Sequence, residues 1–439
     1  MSQSSCRVVI TGLGVISPLG NSVEELWDGL AHRKSGIDFL TRIPGDHLPS
    51  KVGGEASSFT GHIDDFGELE KKLKRTIKKG LKLMCREIEM GVASAQLAIA
   101  DAALSHEHFE PERIGTLFGS DYIITEPGEF ASGIKNCIDD NQFDFGRWGE
   151  NGLNQVEPLW LLKYLPNMPA SHVAIYNDFR GPSNSLTVRE ASSNMAIAEA
   201  TTILKRGIAE AMVVGATGSR IHPLRSVHVA LQEKLAHCDD EGSLSSPGAV
   251  SRPFDHLRRG MVMGEGAGTV ILENYDSAVK RGAKIYGEVI GYGSSTVADR
   301  KYVADYKAAL TNVLKSGIES ANIDPAEVGH VHAHGLSTLR CDREEAEAIS
   351  AVLGPDVPVV AAKGNIGNLG AGGGIVELAA SVKAFDAGNL FPAINFERSD
   401  DEVQINLVKD DSTSPGGVFV NLNVTPQGQA SSVVIRCPD

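Results

Sequence analysis

The chain has 439 residues, 42% hydrophobic and 22% charged, with 47 glycines and a formal net charge of -15. That balance excludes disorder, and the length predicts two or three domains or one large duplicated unit. The negative charge excludes a protein whose main partner is nucleic acid, because binding to phosphate backbones draws on basic surfaces.

Residues 1–5 are polar, and the apolar stretch 8–19 is broken by Thr11, Gly12, Gly14 and Pro18. Neither a signal-peptide core nor a membrane span is expected, and the protein is read as cytoplasmic. Val8-Val9-Ile10 reads as a buried strand running into a glycine turn at Thr11-Gly12-Leu13-Gly14, and residues 22–30 as a capped helix. A dinucleotide-binding loop is rejected, since Ser17-Pro18-Leu19-Gly20 stands where GxGxxG must open a helix. Lys71, Lys72, Lys74, Arg75, Lys78, Lys79, Lys82 and Arg86 form a basic run on a segment whose Leu73, Ile77, Leu81 and Met84 have helical spacing. A solvated helix face is the bland reading of such a run.

Residues 90–104 are alanine-rich with helical periodicity, and Pro111-Glu112-Arg113-Ile114-Gly115 then leads into an apolar strand, Thr116-Leu117-Phe118-Gly119. Residues 125–160 show no clear period and read as an excursion between core elements. Strands are expected at 211–215 and 268–272, and strands alternating with helices predict a mostly parallel sheet. About half the chain after the first proline turn the same order returns: a helix at 308–321, then Pro325-Ala326-Glu327-Val328-Gly329, then a strand His330-Val331-His332-Ala333-His334-Gly335. The echo suggests duplication of one α/β unit. Alternation puts His330, His332 and His334 on one strand face, but without a carboxylate or cysteine partner they do not spell a metal site. Six scattered cysteines contain no CxxC pair, so neither zinc nor redox chemistry is written here, and no cofactor is expected.

Several segments, in order along nearly the whole chain, resemble the type II β-ketoacyl-acyl-carrier-protein synthases of the thiolase-like condensing enzymes. They are Val9 to Gly20, Pro166-Asn167-Met168, Arg180-Gly181-Pro182-Ser183, Arg252-Pro253-Phe254-Asp255, Gly264-Glu265-Gly266-Ala267-Gly268, Ala333-His334-Gly335 and Pro392-Ala393-Ile394-Asn395. The resemblance implies an α/β thiolase-like fold: two pseudo-symmetric βαβαβαββ halves, 1–275 and 276–439, in a five-layer α-β-α-β-α core. It also implies a dimer, either a homodimer or a heterodimer with an active ketosynthase. An acyl carrier protein is the implied partner, which makes Lys71, Lys72, Lys74, Arg75, Lys78 and Lys79 docking candidates, since such carriers are acidic.

Three requirements of the family's chemistry are altered. The nucleophilic cysteine position, counted from Gly181-Pro182-Ser183, holds Glu190. A carboxylate attacking a thioester would give a mixed anhydride, a poor acyl carrier. Burial would raise the Glu190 pKa while Arg189 and a helix N-terminus would lower it, so its charge state stays open; its partner is expected among Arg189, Lys363 or a helix N-terminus. His334 matches the first family histidine, but the second position, in Lys363-Gly364-Asn365-Ile366-Gly367-Asn368, is Asn368, which can donate a hydrogen bond but cannot shuttle a proton. The glycine-rich oxyanion loop is replaced by Val424-Thr425-Pro426-Gln427-Gly428-Gln429, in which Pro426 has no N–H to offer.

The resemblance therefore marks Glu190, His334, Asn368 and Lys363 as the site, with Glu377 and Thr425 in support. The reading is a synthase homologue of fatty-acid or polyketide-type biosynthesis that does not condense through cysteine and serves as an accessory subunit similar to a chain-length factor. Two alternatives are a malonyl-carrier decarboxylase using His334 and Asn368 with protonated Glu190 as acyl mimic, and a stand-alone acyl-binding protein.

Overall fold

The computed structural model describes residues 6–44, 48, 50–238, 245–399 and 403–438; the polar residues 1–5 lie outside that range. The first half runs β1 (Val8–Ile16), α1 (Arg86–Asp101), β2 (Ile114–Gly119), β3 (Ser183–Leu186), α2 (Ser192–Lys205), β4 (Ala211–Ser219) and β5 (Met263–Asn274). The second runs β6 (Gly287–Thr296), α3 (Tyr306–Ala321), β7 (His330–His332), β8 (Pro358–Val360), α4 (Gly373–Ala387), β9 (Val418–Val424) and β10 (Gln429–Arg436).

The strand order is β3-β2-β4-β5-β1 in the first half and β8-β7-β9-β10-β6 in the second, the same permutation twice. The short strand Asn406–Leu407 extends the β8 edge. β1 and β6 join the halves as antiparallel neighbours through Val9 opposite Glu288 and Ile10 opposite Gly287. The repeat reaches local detail: a register shift between Ile10 and Gly12 in β1 has its counterpart between Val289 and Gly291 in β6. Both proline turns are short 3-10 helices, Pro111–Arg113 and Pro325–Glu327, each delivering the chain to the second strand of its half.

Five layers follow from where the helices pack. α1 lies on the outer face of β1, β4 and β5, and α3 on the outer face of β6 and β10. Between the two halves of the sheet, α2 and α4 touch strands of both and also each other. α4 is buried on nearly every side, as a helix sandwiched between sheets must be. The apolar core divides accordingly: a central cluster around Ile197, Leu204, Ile375 and Leu378, flanked by one under α1 and another under α3.

Three expectations are corrected. The sheet is mixed: β2 is parallel to β3 and β4, and β7 to β8 and β9, but β5 and β10 are antiparallel to both neighbours. In the second half a tight hairpin joins β9 to β10, which leaves no room for the helical crossover a parallel pair needs, whereas a long connection holding the helix Arg225–Gln232 precedes β5. There is no glycine turn after Ile10, because β1 continues to Ile16. Gly12 and Gly14 are there for packing: a Cβ on Gly12 would stand 2.5 Å from the Ala98 carbonyl of α1, and one on Gly14 closer still to that of Ser94. The basic run is not one helix to residue 86; it is helical over Lys71–Gly80 and then breaks into a 3-10 turn, Leu81–Leu83.

The 125–160 segment contains a helix, Gly128–Asn136, a short hairpin, and a π-helical turn, Trp148–Gly152, flanked by 3-10 turns. No helix among the described residues is long and apolar enough to cross a membrane.

Candidate functional site

Parallel strands deliver side chains to their C-terminal ends, and in the first half three adjacent strands deliver charge. β2 ends at Gly119, and Ser120 and Asp121 follow; β3 leads through a 3-10 turn, Arg189–Ala191, that presents Glu190; β4 ends at Ser219, and Arg220 follows. The three charges meet. Arg220 Nη2 donates to Glu190 Oε1 at 2.5 Å and Arg220 Nη1 to Asp121 Oδ2 at 2.5 Å. Arg220 is completely buried, and Glu190 is 2% exposed.

Glu190 occupies the elbow before the N-terminus of α2, and the residue preceding it, Arg189, has a left-handed backbone, φ 54°. The Arg189 Nε lies 3.7 Å from Glu190 Oε2. Burial pushes the Glu190 carboxyl up, but Arg220 and then Arg189 outweigh it and hold the group well below the usual carboxylate range. The Arg220 guanidinium thus favours the ionised form of Glu190.

The second half supplies the remainder. Asn368 lies before α4 as Glu190 lies before α2, and its backbone is pinned to the start of β5 by Asn368 N–H to Val262 O, 2.8 Å, and Gly264 N–H to Asn368 O, 3.0 Å. Its Nδ2 donates to Glu190 Oε1 at 3.1 Å, and its Oδ1 accepts from Gly370 N–H at 3.1 Å, which fixes the amide orientation. His334 is buried beyond the end of β7, its backbone N–H and that of Gly335 donating to Glu345 Oε1 and Oε2 at 2.6 and 2.8 Å. Its Nδ1 has no hydrogen-bond partner. Burial, then the Lys363 charge, keep the ring well below its usual pKa, so His334 is neutral.

The structure pairs Lys363 with Glu377, not with Glu190. A cation and a carboxylate that are both buried satisfy each other first, and Glu377 Oε2 also accepts from Asn423 Nδ2 at 2.8 Å. Asn423 in turn accepts from Asn194 Nδ2 at 3.2 Å, which ties the pair into the central helix layer. Thr425 does not reach Glu190 by any hydrogen bond. It closes the β9–β10 hairpin, its N–H donating to Gln429 O at 2.8 Å and its carbonyl accepting from Gly428 N–H at 2.9 Å. The turn beyond it holds Gln427, whose Oε1 accepts from Arg189 Nη1 at 3.3 Å.

β7 itself ends at His332, short of His334. His330 packs against Phe385 and Phe419, and the His332 Nδ1–H donates to Ser381 Oγ at 2.9 Å while its Nε2 accepts from Ala362 N–H. Each ring thus has its own partners along α4. Among the described residues no group of three or more His, Cys, Asp and Glu is arranged to hold a metal ion.

The basic helix stands apart from this cluster. It buries Ile77 in the core under α1 and exposes Lys71, Lys72, Arg75, Lys78 and Lys79, while Lys74 pairs with Asp64. A cavity of about 240 Å3 is lined by Glu233, Tyr306, Thr338, Leu339 and Arg340. Burial first, then the charge of Glu190, push the Glu233 carboxyl up to about 7.

Sequence reasoning missed Arg220 and Asp121. The available signal was a charge placed within two residues of the end of each of two buried strands, and it becomes informative once those strands are known to be parallel neighbours. The assembled cluster brings two carboxylates, a guanidinium and a fixed amide together in the interior, groups that hold charge and donate hydrogen bonds.

The residues around this cluster match a known pattern over most of their length. Residues 5–278 match the beta-ketoacyl synthase N-terminal domain and residues 286–397 its C-terminal domain. The chain is 32% identical over 409 residues to 3-oxoacyl-[acyl-carrier-protein] synthase 2 of Synechocystis sp., covering 92% of this chain and 91% of that one. The fold is similar to that of the ishigamide ketosynthase/chain length factor, at a TM-score of 0.83 and 21% identity over 99% of this chain and 100% of that one. It is also similar to a chain of AntDE:AntF, a type II PKS acyl-carrier protein in complex with its ketosynthase, at a TM-score of 0.79 and 23% identity over the same shares. With its thiolase-like fold and both domain models matched in order, the chain belongs to the beta-ketoacyl synthase family.

Proposed function

We propose that this chain is an accessory subunit of a fatty-acid or polyketide-type synthase, comparable to a chain-length factor, which does not condense acyl chains by a cysteine route. The observation that carries the reading is the buried Glu190–Arg220–Asp121 network. A nucleophile must be free to attack, and Glu190 is ionised, enclosed and bound by a guanidinium. The reaction's other needs fail beside it: Asn368 serves as a fixed donor, and the C-terminal loop is a closed hairpin. An ionised Glu190 would also repel a malonyl carboxylate, which weighs against decarboxylation at this position.

An accessory subunit needs a partner, and the edge of the sheet supports one. β3 is the terminal strand of the first half, with Ser183 and Asn184 exposed, and an unpaired edge of this kind lends itself to two-fold pairing with a homologous chain. The partner proposed is a cysteine-containing ketosynthase, which gives a heterodimer in the cytoplasm. An acyl carrier protein docks on Lys71, Lys72, Lys74, Arg75, Lys78 and Lys79, the exposed basic helix of an otherwise acidic molecule. We divide the two halves at 275/276, in the connection between β5 and β6.

The test uses the purified chain, alone and co-expressed with a cysteine-containing homologue, incubated with malonyl- and acyl-loaded carrier while carbon dioxide release and intact mass are followed. The chain alone is expected to release no carbon dioxide and to acquire no acyl mass, and it is expected to co-purify with the homologue. Carbon dioxide release by the chain alone would overturn the accessory reading in favour of a decarboxylase.

A further inference from the structure

Residue 190 is enclosed from two sides by different kinds of contact. On the inner side Arg220 is completely buried and holds two carboxylates, Glu190 and Asp121, at 2.5 Å each. On the outer side stands Arg189. Its Nη1 donates to Gln232 Oε1 at 2.6 Å and to Gln427 Oε1 at 3.3 Å, and its Nε faces Glu190 Oε2 at 3.7 Å with no hydrogen-bond partner of its own.

Gln232 ends the helix Arg225–Gln232, and Gln427 tips the hairpin between β9 and β10. These are two separate surface elements, both glutamines are exposed, and Arg189 is the side chain that ties them together. The 240 Å3 cavity begins directly beside them: Glu233 follows Gln232 in the chain, and Tyr306, another lining residue, donates through its hydroxyl to Pro426 O at 3.4 Å next to Gln427.

We propose that Arg189 is a latch which, by bridging Gln232 and Gln427, closes the route from this cavity to residue 190. The inner and outer contacts differ in kind. A guanidinium shared between two buried carboxylates is released only by exposing unpaired charge to a low-dielectric interior. Hydrogen bonds from an arginine to two exposed amides exchange readily for bonds to water, so the outer contact opens while the inner one stays closed. Arg189 itself has a left-handed backbone, φ 54°, and its side chain, 12% exposed, lies between the two glutamines and Glu190. Access to residue 190 is thus set by Arg189, separately from the chemistry residue 190 can perform, and the inference stands whichever partner the chain has.

The test places a reporter thiol behind the latch. Glu190→Cys is compared with Glu190→Cys combined with Arg189→Ala, Arg189→Lys or Gln427→Ala, and alkylation by iodoacetamide is followed by peptide mass spectrometry, which separates residue 190 from the six native cysteines. Arg189→Ala is expected to speed alkylation at 190 by about tenfold, Gln427→Ala and Arg189→Lys by less, at unchanged melting temperature. Equal rates with and without Arg189 would overturn the latch. Because Glu190→Cys also removes a partner of Arg220, a second measurement keeps Glu190. Amide hydrogen exchange of the native chain and of Arg189→Ala is expected to differ across 188–193, 230–233 and 425–428 and to agree in α1 and α3. Exchange unchanged in the first three segments would equally overturn the proposal.

Discussion

At the scale of single residues, Glu190 acts as one half of a buried ion pair, and its contribution to stability has a definite sign. Glu190→Gln keeps the shape and removes the charge, leaving Arg220 to Asp121 alone, and is expected to cost about 3 kcal/mol in urea melts at neutral pH. The folded carboxyl titrates below its unfolded value of 4.5. The stabilisation is therefore complete above that pH and is lost as pH falls through the folded value, so the difference between native and Gln chains narrows below about pH 4.5. Arg220→Met leaves two buried carboxylates facing one another and is expected to cost more, about 4 kcal/mol, by the same measurement. Glu190→Cys combined with Asn368→His restores two of the family's groups but not the glycine loop; β-ketoacyl product followed by mass is expected to stay at background. Motif register singled out Glu190 and Asn368, and the structure brings these two into hydrogen-bond contact. Arg220 and Asp121 were not legible: the contact spans 99 residues of sequence and exists only through strand adjacency. The same limit explains Lys363, whose motif is local and whose true partner, Glu377, lies one helix further along the chain.

At the scale of elements, glycine spacing carried a message that sequence alone misread. Gly12-x-Gly14 looked like a turn because glycine commonly makes turns, yet here β1 runs straight through it and α1 rests on its surface. The second half repeats the device, with Gly291 and Gly293 of β6 meeting the backbone of α3 at Gly317 and Val313. Gly14→Ala is expected to destabilise by at least about 3 kcal/mol in denaturant melts, since the added methyl meets a helix backbone, which cannot move aside as a side chain can. The helices α1 and α3 were found nearly in place from periodicity alone. Strand direction was not, because alternation of elements does not say which way the last strand of a unit runs: β5 is antiparallel after a long connection and β10 after a hairpin.

At the scale of the molecule, a net charge of -15 makes the exposed face of Lys71–Gly80 a local exception, and a partner that is itself acidic would be repelled almost everywhere else. Changing Lys71, Arg75, Lys78 and Lys79 to Glu is expected to weaken binding of an acyl carrier protein by roughly a hundredfold and to reverse its salt dependence, so that added salt no longer weakens binding, read by titration at two ionic strengths. Melting should be unaffected, since these side chains are exposed. The duplication was visible in two proline turns half a chain apart, and its full extent, down to paired register shifts, emerged only with the strand order. That repetition supplies the molecule with its own internal control. Gly14 has Gly293, the loop before α2 has the loop before α4, and a substitution made in one copy can be made again in the other. Where both copies reject a change, the architecture demands the residue; where one copy accepts it, the demand at the other comes from the site.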